Sequence, residues 1–155
     1  YISTLYNSNK IPIQDFIDKY GLDKNRINLL YIHKESQTEE CCLAAVKRSG
    51  GELTFVREDL RTYEVCLEAV KQAGYALACV KNKTPDICMA AVKQTSMALQ
   101  FTTAEEQTEE LCLEAVSKRG DMLFYVRNQT PKICEAALKE NPHAIKVLRI
   151  KLKDD

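Results

Sequence analysis

Apolar residues recur along this chain in a pattern that fits α-helices and that repeats about every 23 residues. We count each unit of this repeat from a threonine at position 0. Positions 3, 4, 7 and 8 are then apolar, which is the spacing of one buried face of an α-helix. Alanine occupies position 7 in every unit, and leucine or isoleucine occupies position 15. Five units share this pattern, and they start at Thr38, Thr62, Thr84, Thr108 and Thr130.

Each unit is predicted to form a helix, a turn and a second, shorter helix. Threonine is a good N-cap because its side-chain oxygen accepts from the first free amide groups, and acidic residues after it suit the positive end of the helix dipole. Position 12 is glycine in units 1, 2 and 4, and we expect it to end the first helix in the left-handed conformation. Unit 3 has Ser96 and Thr102 where most units have glycine and valine, so we expect the least regular packing there.

The apolar arc of the first helix is wide, because position 5 is also apolar in units 1 to 4. A helix packed between neighbours on both sides needs such an arc. The spacing from the threonine to position 18 is constant, and the length varies only in the linker that follows, as a solenoid allows. We therefore predict an all-α fold, an α-solenoid of five short helix-turn-helix repeats. The apolar residues at position 5 are Leu43, Leu67, Met89 and Leu113.

The two ends of the chain differ from the units. Residues 1–37 do not match the repeat and are predicted to form an N-terminal helical cap, with residues 38–155 holding the five repeats in one structural domain. Within the cap, the pattern predicts a helix over Ile13–Tyr20 that ends at Gly21, and a second helix over Lys24–His33.

Residue 1 is tyrosine rather than methionine, so we expect the sequence to be an excerpt of a longer protein. At the other end, Ile145, Leu148 and Leu152 continue a helical spacing without a stop signal, which indicates that more chain follows.

Five of the seven cysteines occupy position 4 of successive units. They lack the close Cys/Cys or Cys/His pairs of zinc sites. Neighbouring packed helices lie about 8–10 Å apart, beyond the ~7 Å between Cα atoms that a disulfide can bridge. We therefore interpret the row as small buried hydrophobic residues, with no metal or cofactor, in the cytoplasm or another reducing compartment. The row is Cys42, Cys66, Cys88, Cys112 and Cys134.

No catalytic constellation is found, so the chain is predicted not to be an enzyme. His33 and His143 are the two histidines, and neither lies beside a cysteine or serine in a nucleophile motif. Paired glutamates occur at helix starts, where the helix dipole accounts for them. The sequence has no phosphate loop or dinucleotide fingerprint, and no small-molecule substrate is inferred.

Charge and hydropathy limit the partners further. Lysine plus arginine equals aspartate plus glutamate, at 22 each, which argues against nucleic acid or an anionic membrane surface as the main partner. No apolar run reaches the ~18 residues of a membrane-spanning helix.

Two rows of basic residues are the candidate partner-binding surface. Because equivalent positions of stacked units line up, each row would form a line of positive charge. Both rows also suit the negative ends of helix dipoles, so a purely structural role is the alternative. We expect charge reversal at position 19 to weaken partner capture. The residues at position 19 are Arg57, Lys81, Arg127 and Arg149, and those at position 9 are Lys47, Lys71, Lys93 and Lys139.

The unit T-x-x-x-C-[LM]-x-A-V, followed by glycine and L-x-x-V, resembles a family of short tandem α-helical repeats classed as a domain of unknown function. The resemblance covers residues 38–150. Members of that family are found mainly in larger proteins of host-associated bacteria, large DNA viruses and some protists. The resemblance implies an α-helical repeat fold and, for an intracellular bacterium, part of a secreted effector in the host cytosol. It implies no activity, ligand or catalytic residue.

The sequence thus favours a non-enzymatic module that binds or scaffolds an unknown protein partner, as repeat stacks commonly do. One alternative is a regulatory or targeting segment of a larger secreted bacterial effector. Another is a binder of acidic ligands, nucleic acid or phosphoinositide, through the two basic rows. Such a binder would lose affinity steeply as the salt concentration rises.

Overall fold

The computed structural model describes residues 28–149 and the single residue Asp18. All regular structure in residues 28–149 is helical, with no strand among them, and ten-residue α-helices alternate with six-residue 3-10 helices. The α-helices are α1 (Glu39–Arg48), α2 (Tyr63–Gln72), α3 (Pro85–Gln94), α4 (Glu109–Lys118) and α5 (Pro131–Glu140). The six-residue 3-10 helices are η1 (Gly50–Phe55), η2 (Gly74–Cys79), η3 (Ser96–Phe101), η4 (Gly120–Tyr125) and η5 (Pro142–Val147).

Each α-helix begins directly after the threonine of its unit. In four of the five units the threonine hydroxyl accepts a hydrogen bond from the backbone N–H three residues on, which confirms the predicted N-caps. Thr84 is the exception, because its hydroxyl donates to Asp86 instead. Pro85 follows at the first helical position, where the missing N–H leaves one fewer donor to satisfy.

Consecutive α-helices pack against each other, and each six-residue 3-10 helix packs against the α-helix of its own unit. In units 1 to 4 the 3-10 helix also packs against the α-helix of the next unit. Positions 3, 4 and 7 are buried throughout, which confirms the predicted apolar face. Position 5 is only half-buried, so the buried arc is narrower than its apolar residues predicted.

The glycines at position 12 act differently from the prediction. The first helix ends at the extended residue Ser49 (φ −150°, ψ 112°), and Gly50, without a positive φ, opens the 3-10 helix. A Cβ on Gly50 would lie 2.2 Å from the carbonyl oxygen of Ala69 in the next α-helix. The corresponding distances are 2.5 Å for Gly74 and 2.2 Å for Gly120. The predicted left-handed turn is therefore wrong, and glycine is needed because the next helix approaches its backbone.

The junction between units 3 and 4 lacks this glycine contact. Ser96 takes its place with a side chain that is almost fully buried. Helices α3 and α4 pack less extensively than the other consecutive pairs, whereas α2 and α3 do not, so the irregular packing predicted for unit 3 is found only on the side of unit 4. Thr102 still occupies a buried site at position 18, because its hydroxyl donates to the Leu99 carbonyl at 2.6 Å.

The second helix of each unit is a 3-10 helix that ends one residue before position 18. Leu53 lies inside η1, whereas Val56 is extended (φ −68°, ψ 132°) and its N–H donates to the Leu53 carbonyl. Both side chains are fully buried. The second helix of unit 1 thus includes the leucine but not the valine.

Residues 28–37 have the local structure of the second half of a unit. A 3-10 turn spans Leu29–Tyr31, and the N–H of Ile32 donates to the Leu29 carbonyl, as happens at position 18 of each unit. Ile32 and His33 are extended, so the helix predicted over Lys24–His33 does not continue to His33.

The helix predicted over 13–20 lies outside the described residues, and the boundary between cap and repeats at residue 37 stays a prediction.

The last described unit differs from the others at its apolar positions. Ile145 is 63% exposed, whereas position 15 is fully buried in units 1 to 4. Leu148 is extended (φ −64°, ψ 132°), so the predicted helical spacing does not continue through it. Leu152 lies outside the described residues.

None of the helices in the described part of the chain combines the length and the apolar character of a membrane span.

Candidate functional site

The basic residues at position 19 lie just after the 3-10 helices and are largely engaged within the protein. The Arg57 guanidinium donates to Asp59 (Nη2 to Oδ2, 2.8 Å) and to the Lys34 carbonyl (Nη1, 3.1 Å). The Nζ of Lys81 lies 2.8 Å from Oε1 of Glu58. Hydrogen bonds to these carboxylates raise the pKa of both cations.

The other half of this row is similar. Arg149 donates from Nη1 to the Val126 carbonyl (3.2 Å) and from Nη2 to the Phe124 carbonyl (3.1 Å). Thr103 interrupts the row, and the side chain of Arg127 has no described partner within residues 28–149. Three of the four position-19 cations thus have partners inside the protein, which reduces what this row can offer to another molecule.

The lysines at position 9 are exposed and mostly unpaired. Lys71 lies 2.9 Å from Glu68 on the same helix. Lys47, Lys93 and Lys139 have no side-chain partner among the described residues. These three therefore keep their full hydrogen-bonding capacity for a molecule outside the unit.

Positions 2, 5, 6 and 9 lie on one side of each α-helix, because seven residues complete nearly two turns. We call the surface that these positions form on α1 to α5 the α face. Its position-2 residues are exposed acids in four units, and its position-5 residues are half-buried apolar side chains in the same four. Its acidic row is Glu40, Glu64, Asp86 and Glu110; its apolar row is Leu43, Leu67, Met89 and Leu113; its basic row is Lys47, Lys71, Lys93 and Lys139.

Position 6 explains which lysines are free. It is glutamate in units 2 and 4, where Glu68 pairs with Lys71 (2.9 Å) and Glu114 pairs with Lys118 (2.7 Å). It is alanine in units 1, 3 and 5, so the position-9 lysine of those units has no carboxylate three residues before it. Free lysines therefore recur in every second unit.

Two clefts are found near these surfaces. One, of about 360 Å³, lies on the α face between α4 and α5, with Leu113 and Ser117 in its wall. The other, of about 300 Å³, lies beside the linker between units 1 and 2. Tyr63 and Lys81 line the second cleft, and their polar groups already bond to carboxylates of the protein. The first cleft adds a groove to the α face. The second is a weaker candidate binding site, because these two polar groups already have partners within the protein.

The cysteine row is part of the core, as predicted. Position 4 is buried in all five units, and all seven cysteines are free thiols. Burial raises the pKa of Cys88 and of Cys112 to about 11, and it also raises the pKa of Cys66 and of Cys134. A buried neutral thiol is a poor nucleophile and a poor metal ligand. In residues 28–149 no group of three His, Cys, Asp or Glu side chains could hold a metal ion.

The two histidines are exposed and far apart in the chain. Nδ1 of His33 lies 3.8 Å from Oε2 of Glu35, and both side chains are largely exposed. The backbone N–H of His143 donates to the Asn141 side chain at 3.1 Å. These surroundings position neither imidazole against a nucleophile.

The structure also shows a row of contacts that the sequence analysis missed, made by the residue before each threonine. Nε2 of Gln37 donates to the Phe55 carbonyl, and its Oε1 accepts from the Arg57 N–H, both at 2.8 Å. Gln107 and Gln129 make the same pair of bonds to positions 17 and 19 of the unit that follows each of them. We call Gln37, Gln107 and Gln129 the linker glutamines.

Two units replace the linker glutamine with a cation. Nη1 of Arg61 donates to the Cys79 carbonyl at 2.9 Å, but a guanidinium cannot accept a bond. Lys83 lies 3.8 Å from Glu106, whose Oε2 accepts from the Thr103 N–H at 2.8 Å. A signal was present in the sequence, because a long side chain with N–H donors precedes all five threonines.

Comparison of the chain with protein-family models, with curated proteins and with solved structures gave no match.

Proposed function

We propose that this chain is a non-enzymatic helical-repeat module that binds a protein partner through the α face, and that its five units stack as a solenoid. The stacking is supported by the regular alternation of α-helices and 3-10 helices and by the packing of each α-helix on the next. In such a stack, equivalent surface positions form continuous rows, which suits an extended binding surface.

The single observation that carries the choice of surface is the set of free lysines. Lys47, Lys93 and Lys139 are exposed and lack internal partners. Lys47 and Lys93 lie one helical turn after the half-exposed apolar residues Leu43 and Met89, so a partner can bury apolar area there while its polar groups bond the lysines. The position-19 row lacks this combination, because most of its cations are engaged within the protein.

The test compares two charge reversals of equal size in the whole chain. Lys47→Glu/Lys93→Glu/Lys139→Glu changes the α face, and Arg57→Glu/Lys81→Glu/Arg127→Glu changes position 19 by the same total charge. Each chain is immobilised, and the proteins captured from a cell extract are quantified by mass spectrometry, with circular dichroism to confirm folding. We expect the α-face variant to lose the proteins that the wild type and the position-19 variant retain. Equal capture by all three chains would contradict the proposal.

A binder of acidic ligands is the second candidate that the basic residues support. A salt titration of binding to anionic vesicles and to single-stranded RNA separates it from the protein module, because phosphate contacts lose affinity steeply with salt. The acidic row on the same surface as the lysines disfavours a polyanion.

A further inference from the structure

The width of the α face and the order of its acidic, apolar and basic rows together favour one kind of binding partner. Its acidic and basic rows are separated by seven residues along each α-helix, a distance of about 10.5 Å. The apolar row lies between them and is half-exposed in units 1 to 4. An α-helix with its side chains is about 10–12 Å across, so one helix fits between the two charged rows.

The spacing along the stack agrees with a helix as well. Neighbouring packed helices lie about 8–10 Å apart, and seven residues of an α-helix rise about 10.5 Å. A helix that crosses α1 to α4 would therefore place one side chain of every heptad near each apolar residue of the row. Leu43, Leu67, Met89 and Leu113 are the four side chains it would meet.

The charges then fix the two flanks of that helix. One flank faces Lys47, Lys71 and Lys93, of which the first and third have no partner in the described part of the chain. The opposite flank faces exposed carboxylates, among them Glu64 and Glu110. Acidic residues on the first flank and basic residues on the second would complement both rows.

From this arrangement we infer that the partner of the α face is an amphipathic α-helix with an apolar residue in every heptad, acidic residues on one flank and basic residues on the other. The helix lies across the α-helices of the units, with its apolar side on the position-5 row. This inference rests on the proposed function and adds the chemistry of the partner to it. Helix-in-groove recognition of this kind depends on apolar anchors, and the flanking charges supply specificity and orientation.

The free lysines give the partner an expected charge period. They occur in alternate units, so they lie two helix spacings apart, about 16–20 Å. Thirteen or fourteen residues of an α-helix rise about 20 Å. Carboxylates of the partner are therefore expected roughly two heptads apart on the flank that faces Lys47 and Lys93.

The experiment uses the whole 155-residue chain and synthetic helical peptides as probes. The matching peptide carries leucine in every heptad, glutamate on one flank and lysine on the other. The control peptide has the same composition, with the glutamates and lysines moved to the side opposite the leucines and serine on the flanks. Fluorescence anisotropy measures both affinities at two salt concentrations, and circular dichroism checks that both peptides have the same helix content.

We expect the matching peptide to bind about tenfold more tightly than the control, because several rim charge pairs each add a small energy. Lys47→Glu/Lys93→Glu/Lys139→Glu should remove this preference, and the corresponding glutamine variant should reduce it. Arg57→Glu/Lys81→Glu/Arg127→Glu should leave it intact. Equal binding of the two peptides, or no binding of either, would overturn the inference.

Two further outcomes separate the inference from the proposed function. If the α-face variant loses captured proteins from an extract but neither peptide binds, the α face binds proteins of other chemistry, and only the inference fails. If sedimentation shows that the chain associates with itself through the same lysines, a second copy occupies the α face and the helical partner is rejected. Retention of all captured proteins by the α-face variant would overturn both.

Discussion

Units 3 and 4 pack against each other differently from the pairs of units on either side of them. The difference lies at position 12, where the other junctions have glycine. At the others, a glycine lets the next α-helix bring a backbone carbonyl so close that a Cβ would collide with it. Between units 3 and 4, a buried Ser96 stands in place of the glycine, and the two helices pack less extensively. The difference shows that glycine at position 12 is required by the neighbouring unit rather than by its own backbone conformation.

A second contact is found at two of the three glycine junctions and not between units 3 and 4. The side chains of Gln94 and Glu140 accept from the N–H of Gly74 and of Gly120 in the preceding unit. Between units 3 and 4 this place belongs to Lys118, which donates to the Lys93 carbonyl at 3.0 Å. Lysine cannot accept a bond, so the N–H at position 12 has no equivalent partner there.

The largest expected effect comes from adding a side chain at one of the close glycine contacts. Gly50→Ala places a Cβ 2.2 Å from the Ala69 carbonyl oxygen, which forces two packed helices apart. We expect a loss of about 3 kcal/mol in the free energy of unfolding, at the upper end of overpacking costs. Gly51→Ala is the matched control, because its Cβ would meet the Tyr75 hydroxyl at an ordinary 3.4 Å. Urea unfolding of both variants measures the difference, and equal midpoints would show that the close approach is unimportant.

The next largest effect is expected from the linker glutamines, each of which bonds the backbone of the unit that follows it. Gln129→Ala removes a donor from the Val147 carbonyl and an acceptor from the Arg149 N–H. The glutamine is 6% exposed, so we expect a loss of about 2 kcal/mol, since buried polar groups left unpaired cost about 1–3 kcal/mol. Gln72→Ala, at an exposed helix end, should change stability little. Thermal unfolding compares the two variants. A similar change in melting temperature for both would show that the bonds of the linker glutamine do not stabilise the protein.

A smaller effect is expected from giving the looser junction a glycine. Ser96→Gly removes a side chain that the present packing accommodates, and glycine adds conformational freedom to the unfolded chain. The net change in unfolding free energy should stay within about 1 kcal/mol, in contrast to Gly50→Ala. A large gain in the urea midpoint would mean instead that the serine alone holds α3 and α4 apart.

The smallest effect is a difference in thiol reactivity. Cys88 and Cys112 lie on the two helices of the looser junction, and both are buried, so labelling requires local opening. We expect both to react with iodoacetamide a few-fold faster than Cys134, which lies beside a glycine junction, in mild urea. Cys79 is half-exposed and should react first, which calibrates the peptide mass-spectrometric readout. If Cys134 reacts before the other two core cysteines, the looser junction is not where opening begins.

The sequence predicted the parts of this fold that depend on local periodicity. Threonine caps, buried position-7 alanines and the core cysteines all follow from residue type and spacing within one unit. The function of glycine was predicted wrongly, because its reason lies in a carbonyl 19 residues further along the chain, at Ala69 for Gly50. The same limit hid the bonds of Gln37, since their partners are backbone atoms that the sequence does not distinguish.

The candidate surface was likewise only partly predictable from the sequence. Both basic rows were visible in the sequence, but which position-9 lysines are free follows the residue three positions before each of them. Lys71 has Glu68 and is paired, whereas Lys93 has Ala90 and is not. The pairing of Arg57 and Lys81 involves Asp59 and Glu58, which lie in a three-residue 3-10 helix of the linker that the repeat pattern does not describe.

The linker glutamines have a consequence for how such a chain can lengthen. Their partners are a backbone carbonyl and a backbone N–H, which every unit possesses regardless of its side chains. A unit copied by gene duplication together with the linker glutamine before it would therefore keep both bonds. Its surface positions could then diverge without loss of those bonds. The exposed residues of the α face in a duplicated unit could change in this way while the junctions remain the same.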